Sequence, residues 1–439
     1  MDIWLWRPYL GKTYDGNNGF SLNVSIPEVQ GSIRAIREGQ YVIGGTAGKN
    51  NGTYTEQGNL WALSLKPGSE GTLLWNITFT PPQAAPDSVG AGFYGFGFMN
   101  GPFVDPEDGV FLYNDLITRR WWGYSLATGQ KLWGPTQPED QWGFYGMEHS
   151  IYDGKLLSFG YSGVVVAYDI KTGKVLWNWT STPVGFESYY PHTPLSLGCI
   201  ADGKIYLYST EHSPSTPLRR DAQLWCVNVS DGKLLWKIQH WGQSPVIADG
   251  YLVDLNLFDN QIYCYGKGPS ATTVTASPKV SVHGNSVMIE GAVTDQTPSA
   301  EAKGTPAIAD ADQESWMEYL YQQRPIPANA KGVEVTLDAL DPNGNFVHIG
   351  TATSDISGMY SHMFTPEVPG KYTIIATFAG SKSYGPSYSE TAIGVDEAAP
   401  TSPPPDYPQP FDYTMHFVGV GIAIILAVAI VGILLLRKK

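Results

Sequence analysis

The sequence predicts an all-β protein that ends in a single membrane-spanning helix, and three observations predict this fold class. The 439 residues include 49 glycines, 32 prolines and 13% aromatic residues, a composition typical of many short strands and tight turns. One strand–turn–strand phrase occurs four times in the first half of the chain. A run of 20 uncharged apolar residues lies close to the C-terminus.

The recurring phrase is an apolar strand, a glycine turn and a second strand that carries Leu-Trp, as in YDIKTGKVLWNW at residues 168–179. Its four copies carry Trp75, Trp133, Trp177 and Trp236, which are 44 to 59 residues apart. Repeats of this length with several strands each are typical of a β-propeller, in which every repeat forms one four-stranded sheet.

The two ends of this region predict how the ring of sheets closes. A partial copy, QIYCYGKG at residues 261–268, has the first strand of the phrase and lacks the second. GFSLNVSIP at residues 19–27 parallels TLLWNITFTP at residues 72–81, with Leu22 in the position of Trp75. We therefore expect residues 1–268 to form about five sheets, four complete and one shared between the two ends.

The turn and the tryptophan of the phrase have structural roles. Thr172-Gly173 and its equivalents predict a tight turn between the third and the outermost strand, because glycine adopts a positive φ without penalty. The closing tryptophan is expected to lie flat between neighbouring sheets and to bury area on both sides.

The recurring phrase resembles the PQQ-like β-propeller repeat over roughly residues 22–268. The resemblance lies in an apolar strand, an Asp or Ser, Thr-Gly-Lys and a closing Leu-Trp. The resemblance implies a propeller that usually has seven or eight sheets. With about five visible, we expect an N-terminally shortened chain, and a true small propeller is the alternative. Some members of this superfamily are quinoprotein dehydrogenases that hold pyrroloquinoline quinone, and many others are scaffolds with no cofactor.

The cysteines favour the scaffold. The quinoprotein resemblance implies a ring of adjacent cysteines, a tryptophan that stacks on the quinone, and Ca²⁺ held by Glu, Asn and Asp. Here Cys199, Cys226 and Cys264 lie far apart, each in an apolar strand-like run, and we expect them to be buried small hydrophobes. We therefore expect no cofactor and no catalytic activity. A quinone-dependent or other extracellular oxidoreductase is the alternative.

The character of the sequence changes after Gly268. PSATTVTASP at residues 269–278 is expected to be a linker, and period-two strands separated by turn signals follow as far as residue 395. We expect residues 269–396 to form an Ig-like β-sandwich. GMYSHMFTPEVPGKYTIIATFAGSKSY at residues 358–384 resembles the Ig-like modules of archaeal and bacterial surface proteins. An insert at Thr305–Gln323 predicts one short helix.

The end of the chain predicts a membrane anchor. Residues 397–416 form a Pro-rich, semi-rigid tether, and residues 417–436 carry no charge. At about 1.5 Å per residue, such a helix crosses a hydrocarbon core of about 30 Å. The basic residues 437–439 predict a cytoplasmic C-terminus, which places the bulk of the chain outside the cell.

Charge and glycosylation motifs agree with an outside location. The net charge of -14 argues against a nucleic-acid partner, because no basic excess exists to neutralise phosphates. Five Asn-x-Ser/Thr motifs are candidates for glycosylation. They are Asn23, Asn51, Asn76, Asn178 and Asn228.

The candidate binding residues come from recurring aromatic segments. GFYG occurs at residues 92–95 and 143–146, each before the innermost strand of a repeat, and GFESYYPH at residues 185–192 has the same place in the next repeat. In a propeller these segments meet at one mouth of the central channel. The candidates are Phe93, Tyr94, Phe144, Tyr145, Glu148, His149, Phe186, Glu187, Tyr189 and His192. They either stack on a sugar or contact a protein, or they pack the tapering centre.

No metal site is expected. Adjacent residues on a strand point to opposite faces, so the pair Glu148-His149 rarely supplies two ligands. The sequence as a whole therefore predicts a membrane-anchored surface protein, which we expect to be prokaryotic and archaeal. We expect it to act as an interaction or envelope scaffold that presents the propeller to a glycan or a protein.

Overall fold

The computed structural model describes residues 11, 13, 22–84, 99–184, 190–209, 222–399 and 408–438. Its first half contains five antiparallel sheets, of which four have four strands and the fifth has three. A two-stranded hairpin, β3 and β4, projects from the first sheet. The strands are β1 (Ser32–Arg37), β2 (Tyr41–Thr46), β3 (Lys49–Asn50), β4 (Thr55–Glu56), β5 (Gly58–Ser64), β6 (Leu73–Phe79), β7 (Met99–Asp105), β8 (Val110–Asp115), β9 (Arg120–Ser125), β10 (Lys131–Trp133), β11 (Met147–Tyr152), β12 (Lys155–Gly160), β13 (Val164–Asp169), β14 (Val175–Thr180), β15 (Leu195–Ala201), β16 (Lys204–Ser209), β17 (Gln223–Asn228), β18 (Leu234–Gln239), β19 (Val246–Ala248), β20 (Tyr251–Asn256) and β21 (Gln261–Tyr265).

The five sheets are arranged as the blades of a propeller. The first strands of neighbouring sheets approach one another, β1 with β7, β11 with β15, and β15 with β19. In each four-stranded sheet the remaining strands follow in order away from this side, so the fourth strand is outermost. Each outermost strand carries one of the four repeated tryptophans. The all-β prediction is confirmed.

Neighbouring sheets are held together by shared hydrophobic cores and by the tryptophans. The indole Nε1 of Trp133 donates to the Ile170 carbonyl at 2.8 Å, and Trp177 donates to Val229 at 3.0 Å. In both cases the donor lies on an outermost strand and the acceptor in the next sheet. The predicted position of these tryptophans between sheets is confirmed.

The predicted sharing of the fifth sheet is wrong for the residues that the structure describes. Residues 22–30 form no strand, and the fifth sheet has three strands. Instead, Val24 and Ile26 lie against Gly71 of the first sheet, and the Gln30 carbonyl accepts a hydrogen bond from Trp61. The described part of the segment therefore contacts the first sheet and adds no strand to the fifth.

Two further sheets pack face to face as a β-sandwich. One has the order β22-β24-β27 and the other β23-β29-β28-β25-β26. Their buried residues form one core that includes Val274, Ile289, Leu337 and Ile374. The strands are β22 (Ser270–Ser277), β23 (Val280–Val282), β24 (Val287–Asp295), β25 (Glu334–Leu340), β26 (Phe346–Thr353), β27 (Met359–Phe364), β28 (Gly370–Phe378) and β29 (Ser387–Asp396). That the sandwich is immunoglobulin-like stays a prediction.

The predicted linker at residues 269–278 is wrong. Its centre is β22, which pairs along its whole length with β24. The reason is visible in its alternation, since Thr272, Val274 and Ala276 are buried while their neighbours face outward. The sandwich therefore begins within a few residues of the last propeller strand.

Helix α1 (Gln313–Gln322) lies within the predicted insert and joins the sandwich to the propeller. Glu318 accepts a hydrogen bond from the Gln239 amide at 3.1 Å, and Gln322 donates to the Gln239 carbonyl. Met317 packs into the core shared by the fourth and fifth sheets. Gln239 ends β18, the outermost strand of the fourth sheet, so α1 satisfies backbone groups of an open edge.

The second helix, α2 (Thr414–Leu436), is the predicted anchor. It has 23 residues and a mean hydropathy of 3.0, and none of it is buried in the rest of the chain. It is long and apolar enough to cross a membrane.

Candidate functional site

The second copy of the GFYG motif forms a short, well-fixed structure before the third sheet. Residues Gln141–Tyr145 form a 3₁₀ turn, and the carboxylate of Asp140 accepts a hydrogen bond from the Trp142 amide at 2.9 Å. The Tyr161 amide then donates to the Gly146 carbonyl at 3.1 Å. The turn leads directly into β11, the innermost strand, as the sequence predicts.

Five aromatic rings meet at this end of the sheets, and we call them the aromatic cluster. Tyr145 is at its centre, with ring centroids 6.0 Å from Trp142, 5.4 Å from Phe144, 6.4 Å from Tyr161 and 5.9 Å from Tyr190. Tyr145 is 60% exposed and Phe144 is 44% exposed. The other three rings are half-buried. Large apolar side chains gathered in one exposed place are a feature of binding surfaces.

The sequence predicts Phe144 and Tyr145 of this cluster and misses the other three rings. Trp142 stands next to the motif. Tyr161 lies in the turn between β12 and β13, and Tyr190 lies in the segment before β15. Their positions depend on the pairing of β11 with β12 and on the packing of the third sheet on the fourth. The aromatic composition of the segment that contains Tyr190 was a usable signal.

Eight of the ten predicted binding residues are not in the cluster: three lie apart from it, and five lie outside the described residues. Glu148 accepts a hydrogen bond from Ser196 of the fourth sheet at 2.7 Å, whereas His149 lies against Phe103 of the second sheet, with centroids 3.9 Å apart. The two side chains thus point to opposite faces, as predicted. His192 forms an isolated bridge with Pro183. Five further candidates, Phe93, Tyr94, Phe186, Glu187 and Tyr189, lie outside the described residues.

A carboxylate that the sequence did not single out lies just before the cluster. Glu139 accepts hydrogen bonds from Trp121 at 3.0 Å, Tyr168 at 2.9 Å and Ser158 at 2.9 Å. Trp121 belongs to the second sheet and the other two donors to the third. Burial raises the pKa of Glu139 to about 7, although the three donors act in the opposite direction. Glu139 therefore links two sheets and adjoins Asp140, which caps the aromatic turn.

His149 is the second titratable group at the contact between the second and third sheets, which we call the seam. Its ring lies 5.4 Å from the ring of Trp121, and burial lowers the pKa of His149 to about 4. The imidazole is therefore neutral at neutral pH and packs as an aromatic ring, and it offers no positive charge to a ligand.

The described residues do not fit a quinone and its calcium ion. No group of three His, Cys, Asp or Glu side chains among them is placed to hold a metal ion. Cys199 and Cys226 lie in the fourth sheet and Cys264 in the fifth, none adjacent in sequence. Cys264 is exposed, contrary to expectation, because β21 is an edge strand of the fifth sheet among the described residues. The rings of Trp133 and Trp177 pack on glycine turns of the next sheet, at Gly173 and Gly232.

The glycosylation candidates are placed on the surface with one exception. Asn23, Asn51, Asn76 and Asn178 are exposed, and Asn228 is half-buried. The side chain of Asn228 accepts hydrogen bonds from the amide and hydroxyl of Ser230, both at 2.8 Å. Occupancy of these sites stays a prediction.

The fold therefore defines a propeller of repeated sheets followed by a sandwich and an apolar helix. Residues 26–187, which are less than half of the chain, match the family described as "Outer membrane protein assembly factor BamB", so this part of the chain is similar to that family. No curated protein matches the chain.

Several solved structures are similar to the chain at low identity. BamB from Moraxella catarrhalis is 8% identical, with 76% of this chain and 95% of that chain covered and a TM-score of 0.30. The quinohemoprotein alcohol dehydrogenase ADHIIG from Pseudomonas putida HK5 is 12% identical, with 89% and 78% covered and a TM-score of 0.32. The computationally designed Ika8 protein is 12% identical, with 78% and 98% covered and a TM-score of 0.26. With every TM-score below 0.5, none of these likenesses bears on function.

Proposed function

We propose that this protein is a membrane-anchored surface scaffold that binds a partner through the aromatic cluster and catalyses no reaction. The observation that carries the proposal is the cluster itself, in which Phe144 and Tyr145 stay exposed while three further rings support them. Aromatic side chains supply large contact areas at little entropic cost and are enriched at interfaces. Glu139 accepts hydrogen bonds from the second and third sheets, Glu148 accepts one from the fourth sheet, and His149 packs against an aromatic ring of the second sheet, so each of these three groups has a structural contact.

The anchor supports a role at the cell surface. Helix α2 is apolar along its whole length, and the basic residues 437–439 favour the cytoplasmic side. The propeller would then stand outside the cell on an Ig-like stalk and a Pro-rich tether. Helix α1 fixes the sandwich to the fourth sheet, so the cluster would be presented in one orientation. The similarity of residues 26–187 to a family of outer membrane protein assembly factors supports a scaffold role.

Site-specific photocrosslinking in intact membranes tests this function. A photoreactive amino acid placed at Tyr145 of the full chain should yield a crosslinked product with another surface component. The matched control is the same amino acid at Tyr388, a sandwich tyrosine that is 68% exposed. If both positions give the same products, or if position 145 gives none, the cluster is not the binding surface and the proposal fails.

Protease added to sealed cells tests the orientation. The extracellular propeller should be degraded while a tag placed after Lys439 stays protected. Protection of the propeller together with loss of the tag would contradict the proposed topology.

A further inference from the structure

We infer that the ligand of the aromatic cluster is a neutral carbohydrate chain. This inference rests on the proposed function and names the ligand class of the same site. It follows from the size, the chemistry, the charge and the fixation of the cluster.

The size of the cluster fits a small ligand better than a protein. A stable protein interface buries about 800 Å² on each partner and engages about 20–30 residues a side. Here the exposed apolar surface is concentrated on Phe144 and Tyr145, with smaller contributions from three half-buried rings. A few sugar units match such a surface.

The chemistry of the rings fits a sugar. Four of the five side chains combine an apolar ring with a polar group, the indole N–H of Trp142 and the hydroxyls of Tyr145, Tyr161 and Tyr190. A pyranose has the matching construction, with C–H groups on its ring faces and hydroxyls around its rim. The planes of Trp142 and Tyr145 differ by 19°, whereas Phe144 and Tyr190 stand at 79° and 89° to Tyr145. The cluster therefore offers both ring faces and ring edges.

The charge around the cluster selects a neutral sugar. Asp140 precedes the aromatic turn and Glu148 follows it, and both are exposed. Arg119 also lies near the turn, but its guanidinium donates hydrogen bonds to the carbonyls of Ile117 and Glu139. Carboxylates accept hydrogen bonds from sugar hydroxyls and repel uronic acids, sulfates and phosphates. The net charge of -14 for the whole chain acts in the same direction.

The cluster is also held in place before a ligand arrives, which reduces the entropic cost of binding. The carboxylate of Asp140 fixes the start of the turn, and the hydrogen bond from Tyr161 to Gly146 fixes its end. The bridge between Pro183 and His192 holds the backbone two residues beyond Tyr190.

The test is an array of neutral and acidic oligosaccharides probed with the full chain in a detergent that has no sugar headgroup. The variants are Tyr145→Ala and Phe144→Ala, and the control is Tyr388→Ala in the sandwich. We expect at least one neutral oligosaccharide to bind, with an affinity that falls at least about tenfold in Tyr145→Ala and stays unchanged in Tyr388→Ala. Fluorescence of Trp142 should change on binding, and Trp142→Phe should remove that change while retaining a ring.

Three results would overturn the inference: no neutral oligosaccharide that binds, stronger binding of acidic ones, or binding that Tyr145→Ala leaves intact. A variant that fails to fold is recognised by its circular dichroism, and Phe144→Ala, which also removes an exposed ring of the cluster, then replaces it. A protein crosslinked at position 145 without saccharide binding would overturn the carbohydrate and leave the proposed function standing.

Discussion

The phenol of Tyr168 donates a hydrogen bond of 2.9 Å to the carboxylate of Glu139, and this contact ties the loop before the aromatic cluster to the third sheet. Trp121 donates to the same carboxylate oxygen from the second sheet. One side chain thus holds two blades and the start of the aromatic turn in register. The contact also places an ionisable group where water is largely excluded, so the seam responds to pH.

Glu139→Gln should change how stability depends on pH. The folded pKa of about 7 lies above the ordinary value of 4.5, so the folded chain binds this proton more tightly than the unfolded chain. The stability that Glu139 contributes is therefore present at low pH and is lost as the pH rises from about 4.5 to about 7, by about 3 kcal/mol. In Glu139→Gln that loss should be absent. The measurement is the thermal midpoint of the full chain in detergent between pH 4.5 and 7.5.

His149→Phe should have the opposite effect. The folded pKa of about 4 lies below the ordinary value of 6.5, so the unfolded chain binds this proton more tightly. The stability that neutral His149 contributes is present above about pH 6.5 and is lost as the pH falls towards 4. Phenylalanine keeps the contact with Phe103 and Trp121 and removes the titration. The variant should therefore lose less stability on acidification than the parent protein does.

Each of these two variants serves as the experimental control for the other. Between about pH 4.5 and 6.5 the two groups act with opposite signs, so the parent profile should be flatter than that of either variant. Parallel profiles for all three proteins would show that neither group titrates in the seam as described.

The sequence predicted the parts of the fold that local patterns determine. Trp133 and Gly173 belong to copies of one phrase, and the alternation, the turn glycine and the tryptophan are all legible within a dozen residues. Helix α2 follows from a single apolar run. Residues 19–27 were predicted to supply a strand to the fifth sheet, and the described residues 22–27 do not, because a strand-like pattern does not say which sheet a strand will join.

The candidate site was predicted less completely, because its residues are brought together by long-range packing. Phe144 and Tyr145 share a motif, but Tyr161 joins them through the pairing of two strands and Tyr190 through contact between two sheets. Glu139 gave no local signal, since its burial depends on donors from three separate strands. The contact of α1 with Gln239 likewise links residues about 80 positions apart in the chain.

Gly173→Ala should destabilise the propeller more than an ordinary glycine replacement does. Gly173 has φ +68°, and a Cβ there would lie 2.5 Å from the ring of Trp133. The control is Gly203→Ala, at φ +67° with no atom within 4 Å of the added Cβ. Backbone strain of about 1 kcal/mol is common to both variants. The clash should add about 1–3 kcal/mol in Gly173→Ala alone.

The comparison is made by thermal or denaturant unfolding of both full-length variants under one set of conditions. Equal losses of stability would mean that the tryptophan does not rest on the turn. A larger loss of stability in Gly203→Ala than in Gly173→Ala would contradict the packing of Trp133 on the turn at Gly173. Trp133→Ala combined with Gly173→Ala then isolates the pair, because with the ring removed the alanine should cost only the backbone strain.

Glu318→Ala should weaken the contact between the sandwich and the propeller at the backbone amide of Gln239. The Gln239 amide donates to Glu318 at 3.1 Å, and within the described part of the chain β18 has no neighbouring strand on that side. Without the carboxylate, this amide should exchange its hydrogen with solvent at least about tenfold faster, since its protection depends on the helix contact. The control is Glu314→Ala, which removes only an ion pair of 3.9 Å to Lys237 and should leave the exchange at Gln239 unchanged. If both variants exchange alike, α1 does not protect the strand edge, and the fixed orientation of the propeller on its stalk loses its physical basis.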